Sequence, residues 1–159
     1  MDSKQKSRIC GLTGHRSILK EDVARITAAI ERVIAELAGQ GYNRFLCGGA
    51  LGFDTLAAQA VLRQREKTPE IKLIIVQPCR DQSAKWRERD ILTYNGILEQ
   101  ADEVICLAES YYDGCMQARN RYIIDNSGVC VAYCRRERSG TGYTVRYAKQ
   151  SGVEVINLA

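Results

Sequence analysis

Phe45-Leu46-Cys47-Gly48-Gly49-Ala50-Leu51-Gly52-Phe53-Asp54-Thr55 is the stretch on which the fold turns. A short apolar run, Phe45 to Cys47, meets two adjacent glycines. An apolar helical pattern then resumes at Leu56-Ala57 and continues through Ala60-Val61. This order predicts a strand, a tight turn and a helix. Glycines in such a turn reach backbone angles closed to other residues and leave no side chain in a ligand's way. The helix that follows presents unpaired N–H groups and the positive end of its dipole. Together these form an anion site, most often for phosphate. The same glycines also serve a plain corner between strand and helix, and the rest of the chain has to separate the two readings.

Outward from this stretch the pattern repeats. Arg8 to Leu12 reads as a first strand that ends at Thr13-Gly14-His15-Arg16. A long helix follows, with Val23, Ile26, Ile30, Val33, Ile34 and Leu37 at helical spacing and Gly39 or Gly41 as its stop. Arg44 to Cys47 is the second strand, and its helix runs to about Glu66, broken by Pro69. Ile71 to Val76 is a continuous apolar strand of the kind buried on both faces, ended by Pro78. Ser83 to Gln100 reads as a helix with Ile91, Leu92, Ile97 and Leu98 facing inward, and Glu103 to Leu107 as a fourth strand. Met116, Arg119, Tyr122 and Ile123 lie on a further helix, closed by Asn126-Ser127-Gly128. Val129 to Tyr133 is the fifth strand, Ser139-Gly140-Thr141-Gly142 a turn opening a helix from Tyr143 to Lys149, and Val153 to Ile156 a last strand.

Six strands alternating with five helices predict an α/β fold: a Rossmann-like three-layer sandwich with a mostly parallel six-stranded sheet and helices on both faces. Residues 1–7 are expected to form a flexible N-terminus and residues 8–159 a single domain, as suits a chain of 159 residues. No apolar run reaches the length of a membrane span, and the start lacks the apolar core of a signal peptide, so a cytoplasmic protein without a membrane partner is expected. Cys10, Cys47, Cys106 and Cys130 fall in strand-like runs, where free cysteine behaves as a small buried hydrophobe. With no Cys-x-x-Cys pair and His15 the sole histidine, neither a metal site nor a disulfide framework is expected. The net charge of +4 suits an anionic small molecule and does not demand a nucleic acid.

In a parallel sheet ligands bind at the carboxyl ends of the strands, where strand order reverses. Thr13-Gly14-His15-Arg16, Gly48-Gly49 and Gly140-Thr141-Gly142 all follow strands, so three turns fall on one rim. That convergence favours phosphate binding over independent corners. Gly140-Thr141-Gly142 lacks a third glycine three residues on, and no P-loop signature occurs, so the common nucleotide fingerprints are absent.

Thr13-Gly14-His15-Arg16, Cys47-Gly48-Gly49-Ala50-Leu51-Gly52-Phe53-Asp54, Trp86 and Gly140 to Ala148 resemble the YpsA-type proteins of the SLOG superfamily. Their relatives include the LOG phosphoribohydrolases and the DNA-processing protein DprA. The resemblance spans nearly the whole chain. It implies a Rossmann-like fold and a site for a nucleotide or nucleotide-derived ligand, such as an ADP-ribose- or NAD-like molecule; no other cofactor is implied. It carries Thr13, Gly14, His15, Arg16, Gly48, Gly49, Ala50, Gly52 and Asp54 into phosphate and ribose contacts. Gly140, Thr141, Gly142 and Thr144 would cradle a second phosphate or the far end of the ligand, with Asn120 facing the same crevice.

Several of these residues carry two readings. Asp54 suits ribose binding and equally a helix-start carboxylate favoured by the dipole. His15 is a base, or a contact to ligand or solvent. Trp86, with Lys85 and Arg87, stacks on a nucleobase or anchors its helix as a half-buried aromatic. LOG enzymes follow their last loop with a glutamate, and Thr144 stands at that place here, so hydrolysis would fall to Asp54 with Arg16 as catalytic residues. The expected function is therefore binding of a nucleotide-derived ligand as a sensor or sequestering module. N-glycosidic or phosphoester hydrolysis and DprA-like single-stranded DNA binding are the alternatives, and a homodimer or larger homo-oligomer is implied by the superfamily.

Overall fold

The structure, a computed structural model, describes residues 6–159. Its strands are β1 (Ile9–Gly14), β2 (Arg44–Cys47), β3 (Lys72–Gln77), β4 (Glu103–Cys106), β5 (Val129–Tyr133) and β6 (Glu154–Asn157). Its helices are α1 (Val23–Gly39), α2 (Phe53–Lys67), α3 (Glu88–Gln100), α4 (Cys115–Asp125) and α5 (Gly140–Gln150). All strand pairs are parallel, in the order β4-β3-β2-β1-β5-β6. From β1 the chain moves outward through β2 and β3 to β4, then returns to the other side of β1 as β5. Strand order thus reverses between β1 and β5, where a crevice opens at their carboxyl ends.

Side chains alternate across the sheet with the two-residue period of a strand. Cys10, Leu12, Phe45, Cys47, Leu73, Ile75, Val129, Val131 and Tyr133 face a core built with α1, α2 and Ile97 of α3. Ile9, Leu46, Ile74 and Val76 face the opposite way, against Ile123 of α4. Cys130 and Ala132 meet Ile124, Val145 and Ala148 of α4 and α5. Burial of the central strands on both faces explains their continuous apolar runs. In α1 the buried residues Ile26, Ile30, Val33, Ile34 and Leu37 make one stripe.

Four expectations change. The helix expected from Ser83 begins at Glu88, because Asp81 to Trp86 close as successive turns. In that helix Leu92 is 67% exposed and Tyr94 faces the core in its place, while Ile97 is buried as expected. The last helix starts at Gly140 rather than Tyr143: Ser139 caps it, its Oγ accepting from the Gly142 N–H at 2.9 Å. Gly140-Thr141-Gly142 is therefore the first turn of a helix. Cys106, expected to be buried, sits half-buried on edge strand β4. Of the expected flexible N-terminus, residues 1–5 lie outside the described residues, and the Lys6 carbonyl lies against Gly128. No helix among the described residues is long and apolar enough to cross a membrane. Among the same residues no group of three or more His, Cys, Asp or Glu side chains is placed to hold a metal ion.

Candidate functional site

A cavity of about 350 Å³ lies at the point of strand reversal. The end of β1 and its loop supply Thr13 to Ser17, the β2–α2 turn supplies Ala50 and Asp54, α4 supplies Met116, Arg119 and Asn120, and the β5–α5 connection supplies Arg136 and Ser139 to Thr141. The turns at residues 48 and 140 therefore open on one rim and share one chamber. By helix geometry the first N–H groups of α5, at Gly140 and Thr141, have no partner within the helix and sit at the chamber wall.

The glycines of the central turn do not line that cavity. They let other groups approach. A Cβ on Gly48 would stand 2.5 Å from Nη1 of Arg119. Gly52 has φ +77°, and a Cβ there would run into the backbone carbonyls of His15 and Arg16. Through that close contact the Phe53 N–H donates to the His15 carbonyl at 3.1 Å, which locks the β1 loop onto the start of α2.

Asp54 sits in the first turn of α2 and is 6% exposed. Its Oδ2 accepts from the Ala50 N–H at 3.1 Å, so it does close its own turn. Its Oδ1 is buried without any hydrogen-bond partner among the described residues. Burial pushes its carboxyl up to about 6, against smaller opposing effects of Arg119, the Ala50 N–H and Arg16. The folded protein therefore binds the Asp54 proton more tightly than the unfolded chain does. This contribution to stability is fully present below about pH 4 and is lost as pH rises through about 6. Urea unfolding from pH 4 to 8 should show a decline of order 1–3 kcal/mol from this group. Asp54→Asn should remove that part of the slope; an unchanged slope in the variant would assign it elsewhere.

Beneath Asp54 lies Arg119, 3% exposed. Its Nη1 donates to the Gly48 carbonyl at 2.7 Å and lies 3.3 Å from both the Val76 carbonyl and Gln82 Oε1. Its Nε donates to Asn120 Oδ1 at 2.9 Å, which leaves the Asn120 amide N–H₂ free to donate. Burial lowers its pKa, and the Asp54 carboxylate opposes that shift. One guanidinium thus ties together the β2–α2 turn, the end of β3 and α4.

His15 is also buried. Its Nε2 accepts the backbone N–H groups of Arg135 at 2.8 Å and Arg136 at 3.3 Å. Nε2 therefore carries no proton, and burial with the nearby Arg136 and Arg135 lowers the pKa. The base reading of His15 fails at this nitrogen, which holds the β5 loop in place. Thr144 is buried, and its hydroxyl donates to the Gly140 carbonyl along the helix.

A second chamber of about 490 Å³ adjoins the first, and Arg16 and Met116 border both. Cys79, Asp81, Gln82, Ala84, Lys85, Trp86 and Tyr111 complete its wall. Trp86 packs edge-on against Tyr94 with ring centroids 5.1 Å apart, so it is anchored and yet borders a cavity.

The structure thus brings Thr13, Gly14, His15, Arg16, Ala50, Asp54, Asn120, Gly140 and Thr141 together around one chamber, and puts Trp86 on the next. Gly48, Gly49, Gly52, Gly142, Thr144 and Arg87 line neither. Sequence reasoning passed over Ser17, Met116, Arg119, Arg136 and Ser139 as site residues. For Arg119 a signal existed: Cys115, Arg119 and Ile123 recur every fourth residue on the buried face of α4, so a cation stands inside an apolar stripe.

A model of the YspA SLOG family matches residues 12–155. The SPbeta prophage-derived protein YoqJ of Bacillus subtilis is 33% identical over 139 residues, spanning 80% of this chain and 80% of that protein. A UPF0398 protein of Halalkalibacterium halodurans is 31% identical over 131 residues, spanning 80% of this chain and 69% of its own. Among solved structures, DNA processing protein A of Helicobacter pylori, described for its single-stranded DNA binding mode, superposes with a TM-score of 0.68 at 20% identity. That match spans 98% of this chain and 68% of the other. The Streptococcus pneumoniae DprA gives 0.69 at 21% identity, over 96% of this chain and 50% of its own. These two likenesses show the shared fold.

Proposed function

The chain belongs to the YspA SLOG family, and from that premise we propose that it binds a nucleotide or nucleotide-derived ligand, such as an ADP-ribose- or NAD-like molecule, as a cytoplasmic sensor or sequestering module. The observation that carries this reading is the buried carboxyl of Asp54, a residue that lines the chamber and whose Oδ1 has no hydrogen-bond partner among the described residues, together with the N-terminus of α5 at the same chamber. A buried carboxylate oxygen without a donor is costly, and a ligand that supplies the donor removes that cost. On the other side of the chamber the N–H groups of Gly140 and Thr141, with the Arg136 guanidinium, suit a phosphate. The adjoining chamber, with Trp86 and Tyr111, suits a flat aromatic base.

Hydrolysis is the second reading, and one observation favours it. Among the described residues Asp54 is the one carboxylate on the wall of the first chamber, and its pKa of about 6 leaves it available near neutral pH as either base or acid. Thr144 does not substitute for the LOG glutamate, since its hydroxyl is spent inside the helix. Single-stranded DNA binding, as described for the Helicobacter pylori structure, has support here in the exposed Arg135, Arg136 and Arg138, of which Arg136 lines the chamber.

Incubation with NAD, ADP-ribose and the nucleoside 5′-monophosphates, read by melting temperature and product analysis, tests these readings together. A melting shift with intact ligand is the expected result. Release of free base or ribose phosphate would make the protein a hydrolase. The absence of any shift, with salt-dependent binding of oligodeoxynucleotides, would replace the proposal with the DNA reading.

A further inference from the structure

We propose that His15 is a proton-operated latch: its neutral ring holds the loop of residues 134–139, between β5 and α5, against the β1 loop, and its protonated ring lets that loop go. The latch stands on contacts within the protein, and only its effect on a ligand rests on the nucleotide reading above.

Nε2 of His15 is the shared acceptor of two successive amides, the Arg135 N–H at 2.8 Å and the Arg136 N–H at 3.3 Å. A proton on that nitrogen turns the acceptor into a donor and sets three N–H groups facing one another. One side has to yield. The histidine is held at both ends of its own backbone: its N–H donates to the Tyr133 carbonyl at 3.2 Å, and its carbonyl accepts from the Phe53 N–H at 3.1 Å. Its ring also packs edge-on against Tyr133, with centroids 5.7 Å apart. The loop is the freer partner. Arg135 to Arg138 are exposed and belong to no helix or strand. Other bonds of the loop run sideways: Cys134 exchanges hydrogen bonds with the Asn157 side chain, the Glu137 carbonyl accepts from Arg146 of α5, and the Arg136 carbonyl accepts from Ser139 Oγ. None of these reaches the β1 loop.

The surroundings disfavour a charged imidazole. Arg16 is its neighbour in the chain, Arg135 and Arg136 lie on the loop it holds, and Arg119 of α4 lines the same chamber. Asp54 of α2 is the one carboxylate there among the described residues. Burial, then Arg136 and Arg135, lower the ring's pKa from the usual 6.5. Asp54 takes up its own proton at about 6, so it counters these cations less as the pH falls. The open loop leaves the ring free to bind a proton at its ordinary strength. Closure is therefore fully favoured above about pH 6.5 and loses that advantage as pH falls toward the ring's lowered value. Opening displaces Arg136, a wall residue of the chamber, and Ser139, the cap of α5. An anion at the start of α5 is then held less firmly in acid.

His15 is the sole histidine of the chain, so the untagged protein gives a single set of imidazole NMR signals. The ring shifts and the Arg135 and Arg136 amides are followed from pH 7.5 to 5. The expected result is one shared midpoint below the usual 6.5. Protection of the two amides from hydrogen exchange should fall about tenfold per pH unit, the slope of one proton bound on opening, while the amides of β1 stay protected. Asp54→Asn should keep this response; its loss there would make Asp54 the switch and overturn the latch. His15→Gln, with an amide oxygen in place of Nε2, should flatten it. A ring that titrates while both amides stay unmoved overturns the proposal, as does a ring that stays neutral until the whole chain unfolds. Both readings come from the unaltered protein and do not depend on either variant folding. ADP-ribose, titrated at pH 7.5 and 5.5, should bind about tenfold more weakly in acid. No binding of ADP-ribose or of the nucleoside monophosphates at either pH overturns the nucleotide reading, and the NMR result decides the latch independently.

Discussion

Arg119→Met lowers the stability of the protein by about 3–5 kcal/mol, the range found when one partner of a buried charged network is removed. Methionine is similarly long, unbranched and flexible, so the loss reports chiefly the polar role of the guanidinium. Four acceptors lose a donor at once: the carbonyls of Gly48 and Val76, Gln82 Oε1 and Asn120 Oδ1; the Gly48 carbonyl keeps the longer bond from Gln82 Nε2 at 3.2 Å. Asp54 loses the cation that offsets part of its burial, so its carboxyl rises above the present value of about 6 and becomes protonated near neutral pH. Arg119→Lys restores the charge without the planar fork and recovers only part of the loss. Urea unfolding at pH 7.5 reads the effect, and in thermal melts it corresponds to a drop of about 10 °C or more. A loss under about 1 kcal/mol in Arg119→Met would mean that water replaces the guanidinium, and that the three elements it joins hold together without it.

Gly52→Ala is the second large effect, with an expected cost of at least about 3 kcal/mol. Two penalties add. The residue sits at φ +77° and ψ −119°, a region that side chains with a Cβ rarely enter. The new methyl group would also meet the carbonyls of Arg16 and His15, which are backbone and cannot rotate away. Relief requires the β1 loop to lift off α2, which breaks the Phe53 to His15 hydrogen bond and opens the chamber floor. Gly96→Ala is the matched control. Gly96 lies within α3 with open space around its Cβ position, and alanine there should stabilise by about 0.5–1 kcal/mol. Similar stabilities for the two variants in parallel denaturation curves would show that the loop yields at residue 52.

The expected effects of Arg119 and Gly52 differ in how much of each the chain announces. The strand–turn–helix reading of Phe45 to Asp54, the order of six strands and five helices, and the gathering of three turns on one rim are all legible in local pattern. Hydrophobic period and glycine position depend on the chain's own neighbours, and the two-sided burial of β1, β2, β3 and β5 leaves an unmistakable apolar run. Leu92 misled because an apolar residue next to Ile91 reads as inward, while Tyr94, whose hydroxyl accepts from Gln77 and Gln82, takes the core place instead.

The division of labour among the glycines was not legible. Gly48 and Gly52 read as phosphate contacts because small residues beside a helix start serve that purpose in many folds. Their positions are instead filled from a distance, by a side chain 71 residues further along and by a carbonyl from the β1 loop. The same holds for His15, whose ring nitrogen is claimed by amides 120 and 121 residues away. Local spacing along the chain settles which elements form and on which edge their turns emerge, because periodicity and backbone freedom are properties of neighbours in sequence. Which polar atom is left without a partner depends on contacts between strands and helices far apart in the chain. Only the folded molecule makes those contacts, and it leaves Asp54 lining the chamber with its Oδ1 buried and without a partner among the described residues.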